Sequence, residues 1–236
     1  MRDSGRIVAE ILQILQEKAE IGVTTLELNT LAELECVKRK AKPAFKGYGG
    51  FPYTICASPN QKVVHGFADD IPLCNGDLLS IDFGVQYRGY FGDAAITIPI
   101  GQVDDEKLAL NLATRKSLVL AIEAAQIGKR ISDISFAVQS YVEEQGFSVV
   151  RDFVGHGIGK NLHEAPQVPN FGLPGHGPRL KSGMVLAIEP MINSGCADVK
   201  ILADGWTAVT VDGKPSSHFE HTVAITDDGP VILTLP

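Results

Sequence analysis

Two short apolar runs each carry a carboxylate: Leu79-Ser80-Ile81-Asp82-Phe83-Gly84-Val85 and, after Gln86-Tyr87-Arg88-Gly89, Gly92-Asp93-Ala94-Ala95-Ile96-Thr97-Ile98. Apolar runs joined by a short polar segment containing glycine read as a β-hairpin. A symmetric hairpin turning at Tyr87 and Arg88 sets Asp82 directly opposite Asp93, with Cβ atoms about 5 Å apart, where like charges repel. Burial makes the pair costlier, because each carboxylate loses hydration and disfavours ionisation of the other. Three arrangements relieve that cost: a shared proton, as in an acid dyad; cations between the carboxylates; or a register one residue off, with one Asp facing water.

The second half of the chain supplies further candidates: His156 in Gly155-His156-Gly157-Ile158-Gly159, Glu189 after the apolar run Met184 to Ile188, and Glu220 in Phe219-Glu220-His221-Thr222-Val223-Ala224-Ile225. Alternation along that last run puts Glu220 on the face opposite His221, Val223 and Ile225. One imidazole and four carboxylates make a hard, oxygen-rich donor set whose four negative charges balance two divalent cations; a single zinc site prefers more His or Cys. Two ions about 3.5–4 Å apart lower the pKa of a water between them, and the chemistry implied is hydrolysis.

The elements that must position these groups follow from periodicity. Ile7, Val8, Ile11, Leu12 and Leu15 form the stripe of a first helix, stopped at Gly22; Thr24-x-x-Glu27 is a capping-box signature for a second, with Leu28 and Leu31 inward. Lys38-Arg39-Lys40-Ala41-Lys42-Pro43 reads as its solvated end. The stretch from Ala44 to Tyr53, rich in glycine and aromatics, is a loop able to wall an apolar pocket. Strands are expected at 54–57 and 63–66. Leu108, Leu112, Val119 and Ile122 mark a third helix, stopped at Gly128, and a fourth begins near Ser132 with Ile134, Val138, Tyr141 and Val142 on one face. Beyond Gly146 come short strands and glycine-rich turns. His176, in Pro174-Gly175-His176-Gly177-Pro178, reads as a surface loop residue, and His218 and His221 as structural.

A repeat joins the halves. Gly76-Asp77-Leu78-Leu79-Ser80-Ile81-Asp82 matches Gly183-Met184-Val185-Leu186-Ala187-Ile188-Glu189 at an offset of 107, and Ile21-Gly22 before a capped helix matches Ile127-Gly128. The expected fold is a single α+β domain over 1–236, with halves of roughly 1–115 and 116–236 pooling antiparallel strands around one site.

Composition narrows the class. Charged residues at 21% and hydrophobic ones at 44% suit a soluble globular chain, and a net charge of −7 argues against a general nucleic-acid binder. Cys36, Cys56, Cys74 and Cys196 form no C-x-x-C pair, so a reduced, cytoplasmic protein is expected. No apolar stretch approaches the ~20 residues that span a bilayer.

Taken together, Ile81-Asp82 with Gly92-Asp93, Gly155-His156-Gly157-Ile158-Gly159 with Leu162-His163-Glu164, Ile188-Glu189-Pro190-Met191, and Glu220-His221-Thr222 resemble the type I methionine aminopeptidases, in order and spacing, over nearly the whole chain. The resemblance implies the pita-bread fold, with two pseudo-symmetric halves, a central antiparallel sheet and outer helices. It implies two divalent ions (Co, Mn, Fe or Zn): Asp82 on the first, Asp93 and Glu220 bridging, His156 and Glu189 completing the second. A bridging hydroxide would attack the first peptide bond, with Glu189 as proton acceptor, His65 beside the amide and His163 polarising the carbonyl. Tyr48, Phe51, Cys56, Leu162 and Trp206 fall where the family walls its methionine pocket. The implied substrates are nascent polypeptide N-termini with a small second residue, met at the ribosome by a monomer. X-Pro peptidases and non-catalytic proteins share the fold; the former generally carry an added N-terminal domain, and the latter tend to lose ligands that are all kept here. The chain departs from the family pattern at Phe91 and Ala94 beside Asp93, and at Phe45 and Phe51 in the aromatic loop.

Overall fold

A computed structural model describes residues 1–236. Helix α1 (Arg2–Lys18) buries Ile7, Val8, Ile11, Leu12 and Leu15. Helix α2 (Thr25–Lys38) starts on the expected capping box: the Thr24 hydroxyl accepts the Glu27 N–H at 3.1 Å and the Glu27 carboxylate accepts the Thr24 N–H at 2.8 Å. The basic stretch after α2 is less solvated than its composition predicts. Arg39 bonds to Glu10 and Glu35, and Lys42–Pro43 forms a short strand, β1. A single 3-10 turn (Tyr48–Gly50) follows, then β2 (Cys56–Pro59), β3 (Lys62–Val64) and the long hairpin β4 (Leu78–Tyr87) and β5 (Tyr90–Pro99).

The second half repeats the order of helix pair then strands. It comprises α3 (Asp105–Ala124), α4 (Ile131–Glu144), β6 (Ser148–Val149), β7 (Gly155–Gly157), β8 (Glu164–Val168), β9 (Val185–Ile188), β10 (Met191–Asn193), β11 (Val199–Ile201), β12 (Ala208–Thr210), β13 (Ser216–His218), β14 (Glu220–Thr226) and β15 (Gly229–Ile232). Nine strands form one antiparallel sheet in the order β1-β4-β5-β14-β9-β7-β8, with β2 also on β4 and β15 also on β14. The join between halves is β5 against β14, where Ala95 pairs with Glu220.

Both helix pairs cover the same face of this sheet. Ile81, Phe83 and Val85 of β4 pack under α1 and α2, while Leu186, Ile188, Val223 and Ile225 pack under α3 and α4. Strand alternation then turns Asp82, Asp93 and Glu220 to the opposite face. Helix α3 forms where the apolar residues mark it, but they do not all face inward. Leu108, Leu112 and Val119 are exposed, and the inner face is Leu110, Ala113, Thr114, Ser117, Leu118, Ala121 and Ile122. Leucines and alanines occur nearly all round this helix, so apolar spacing alone could not choose its face.

The hairpin register is also corrected. Tyr87 pairs with Tyr90, so Asp82 lies opposite Ala95 and Asp93 opposite Gly84. Arg88 (φ 48°) and Gly89 (φ 81°) are both left-handed, the two-residue turn whose twist matches that of the strands, and it displaces the turn by one residue from the expected position. Gly84 shares the face of Asp82 two residues away, so the carboxylates become diagonal neighbours on one face instead of a direct pair.

Close backbone approach constrains the sheet beside the site. A Cβ on Gly155 would sit 2.3 Å from the Ala187 carbonyl oxygen. Gly155→Ala is expected to cost about 2 kcal/mol, lowering Tm by roughly 4–8 °C in a thermal melt; an unchanged Tm would show that β7 and β9 can separate freely.

Candidate metal centre

The donors assemble along one row across the sheet. Asp82 stands on β4 and Asp93 on β5, Glu220 opens β14, and His156 is on β7 opposite Ala187 of β9. The β14–β9 register pairs His221 with Ile188, and one further step sets Glu189 beside Glu220. Ligand atoms of Asp93, His156 and Glu220 lie within 4.8 Å of one another. The Glu189 carboxylate reaches His156 Nε2 at 3.6 Å and His218 Nε2 at 3.8 Å.

Asp93 and Glu220 are buried, while Asp82 and Glu189 keep a narrow opening to the cavity above them. No lysine or arginine pairs with any of the four. Oδ1 of Asp82, Oδ1 of Asp93 and Oε1 of Glu220 are buried without a hydrogen-bond partner. Burial pushes Asp82 up to about 7, and burial together with the neighbouring carboxylates holds Asp93, Glu189 and Glu220 well above the usual carboxylate range. Uncompensated oxygens of this kind fit divalent cations, which would replace the missing positive partners.

Local bonds aim the donors. His156 Nδ1 donates to the Gly157 carbonyl at 2.9 Å, leaving the Nε2 lone pair for a cation. Burial lowers His156 to about 4, so its ring is neutral. Thr222 clamps Asp93 from β14: its hydroxyl donates to the Asp93 carbonyl at 2.7 Å and accepts the Asp93 N–H at 3.0 Å.

Above the donors is a cavity of about 140 Å³ lined by Phe45, Tyr48, Phe51, Cys56, His65, Leu162, His163 and Trp206 together with Asp82, Asp93, His156, Glu189 and Glu220. This is close to the ~150 Å³ cavity that admits a benzene-sized guest, hence room for one side chain. Phe51 meets Trp206 edge-on at 5.2 Å, and His65 stands edge-on to Trp206 at 6.3 Å. His65 has φ 57°, a conformation costing a non-glycine residue about 1 kcal/mol. His163 stands at the mouth, its ring 4.3 Å from that of His156 and its Nδ1 2.8 Å from the Tyr48 hydroxyl.

The structure thus brings all twelve sequence-predicted site residues to one cavity. Phe45, a departure from the family pattern in the sequence, also lines the cavity, and His218, expected to be structural, lies 3.8 Å from the Glu189 carboxylate. The alternation His218, Glu220, Thr222 puts His218 on the site's face and was the signal available. The Thr222 clamp carried no such signal, since its partner is 129 residues away.

The family model for metallopeptidase family M24 matches residues 1–227. The chain is 53% identical over 235 residues to the methionine aminopeptidase of Clostridium perfringens, covering 100% of this chain and 94% of that one. It is 51% identical to methionine aminopeptidase 1 of Bacillus subtilis, covering 99% and 94%. The crystal structure of the Thermotoga maritima methionine aminopeptidase superposes with a TM-score of 0.98 at 45% identity, covering 100% and 95%. A prolidase from Pyrococcus horikoshii, at 22% identity and a TM-score of 0.80, covers 99% of this chain but 60% of its own, and shares the pita-bread fold. The cation-deficient carboxylates and these matches over the whole chain lead to one assignment: the chain belongs to metallopeptidase family M24, among its type I methionine aminopeptidases.

Proposed function

We propose that the protein removes the N-terminal methionine of newly made polypeptides whose second residue is small, with Asp82, Asp93, His156, Glu189 and Glu220 holding two divalent ions of the Co, Mn, Fe or Zn class. The observation that carries this reading is the juxtaposition of buried, cation-deficient carboxylates with an aromatic cavity sized for one side chain. A methionine thioether suits that cavity, because sulfur makes favourable contacts with ring edges such as those of Phe51 and Trp206. Bound divalent ions supply a water of lowered pKa and a positive field for the carbonyl oxygen.

The chain's own groups do the rest. Glu189, with one carboxylate oxygen toward His156 and the other toward His218, takes the proton of the attacking water and returns it to the leaving amine. His163 donates from the cavity mouth to the oxygen on which negative charge develops. His65 faces the amide nitrogen from the wall it shares with Trp206. The net charge of −7 accords with peptide substrates rather than nucleic acid, and no helix is long and apolar enough to cross a membrane. Nascent chains emerging from a cytoplasmic ribosome, met by a monomer, are the substrates proposed.

With manganese present, release of methionine from Met-Ala-Ser is expected to fall at least about 100-fold in Glu189→Gln, with Tm unchanged within a few degrees. Near-normal turnover by the folded variant would remove Glu189 from proton transfer. Wild-type protein should cleave Met-Leu-Ser far more slowly than Met-Ala-Ser.

A second outcome concerns pH. In the ion-free protein the folded chain keeps protons on Asp82, Asp93, Glu189 and Glu220 that the unfolded chain releases, so folding stability falls as pH rises toward and past about 7. His65, His156, His218 and His221 act oppositely, since burial lowers them to about 4, 4, 3 and 4, but that gain is complete above the ordinary histidine pKa of about 6.5. Calorimetry after chelation should therefore show Tm falling between about pH 6.5 and 8, with added Mn²⁺ removing the decline. A Tm that rises through this window without ions would contradict the burial of these acids.

A further inference from the structure

Tyr48 and His163 come from opposite lips of the cavity, 115 residues apart, and meet through one hydrogen bond of 2.8 Å between the phenol oxygen and Nδ1, with ring centroids 5.2 Å apart. Both sit on braced turns. The Tyr48 N–H donates to the Phe45 carbonyl at 2.8 Å and the Gly47 N–H to the Phe51 carbonyl at 2.7 Å, and Trp206 packs so closely against Gly49 that a Cβ there would lie 3.2 Å from its ring. On the other lip, the Asn161 N–H donates to Glu164 at 2.8 Å and the Phe91 N–H to the Gly159 carbonyl at 2.9 Å. The contact joins two preformed surfaces.

A neutral imidazole carries a single N–H, and the bond at one nitrogen decides what the other can do. If Nδ1 held the proton, Nε2 would offer a lone pair and would repel a developing oxyanion. If the phenol O–H donates to Nδ1, the proton stays on Nε2, and the ring presents a donor to the cavity it lines.

We infer that Tyr48 is a positioning residue: its hydroxyl donates to His163 Nδ1, selecting the Nε2–H tautomer and fixing the ring over the reacting carbonyl. Tyr48 therefore does more than wall the methionine pocket. The catalytic consequence rests on the oxyanion role proposed for His163; the tautomer assignment does not.

The test uses both properties. In ion-free protein with ¹⁵N-labelled histidine at pH 8, long-range ¹H–¹⁵N correlation, with the His163 signals identified by their loss in His163→Ala, should show Nε2 protonated and Nδ1 bare. Tyr48→Phe keeps the ring, so pocket shape and KM for Met-Ala-Ser should hold within about twofold, while kcat falls roughly two- to tenfold, the share of one hydrogen bond, and the Nδ1–H form appears. A wild-type ring protonated on Nδ1, an unchanged tautomer in Tyr48→Phe, or a variant raising KM alone would overturn the inference. Full kcat in His163→Ala would overturn its catalytic half, and the spectrum distinguishes that failure from an error in the Tyr48 contact.

Discussion

Four carboxylates facing one cavity from a single sheet face, with no lysine or arginine among them, are the constraint to which the rest of the molecule answers. Each acid raises the cost of ionising the next, and burial raises it further. A chain folding for stability alone would scatter such groups or pair them with cations. Here the sheet gathers them, and the neutral His156 ring, held by its bond to Gly157, adds a lone pair and no positive charge. Divalent ions satisfy such a set directly, which ties the reaction chemistry to the same feature that strains the ion-free fold.

The architecture bears that strain by covering the reverse side of the sheet. Each half supplies two helices, and the strand residues between the acids, Ile81 and Phe83 in one half and Ile188 and Val223 in the other, are buried beneath them. The apolar layer holds the strands at fixed spacing, while the Thr222 clamp ties β5 to β14 where the halves join. The cavity wall is built above this plane from other parts of the chain. The 3-10 turn at Tyr48–Gly50, the Leu162-His163 segment and Trp206 close around a volume for one side chain, next to rather than within the ionic floor.

Much of this was legible in the residues. The capping box at Thr24, the stripes of α1 and α4, the acid at the matching point of each repeated run and the glycines around His156 are local signals, carried by near neighbours. They sufficed to pick out five side chains that the structure gathers on one cavity floor, and most of the wall above it. Other features depend on partners distant in sequence. The inner face of α3 was not legible because apolar residues surround it, and only the sheet beneath selects Leu110 and Leu118 over Leu108 and Leu112. Arg39 looked solvated until Glu10, 29 residues earlier, arrived beside it.

Sequence alone thus determined which side chains could bind cations, that the repeated apolar run of each half carries an acid at the same point, and which family the motifs resemble, because residue type and local period are properties of short segments. Tertiary structure decided the geometry. The two-residue turn at Arg88 and Gly89 moved the register so that Asp82 and Asp93 became diagonal neighbours, since backbone twist favours a turn whose position composition does not reveal. It also brought His218 to Glu189, Thr222 to Asp93 and Tyr48 to His163, contacts made by strand pairing and lip closure across more than a hundred residues in two of the three cases, where chain order carries no information about distance.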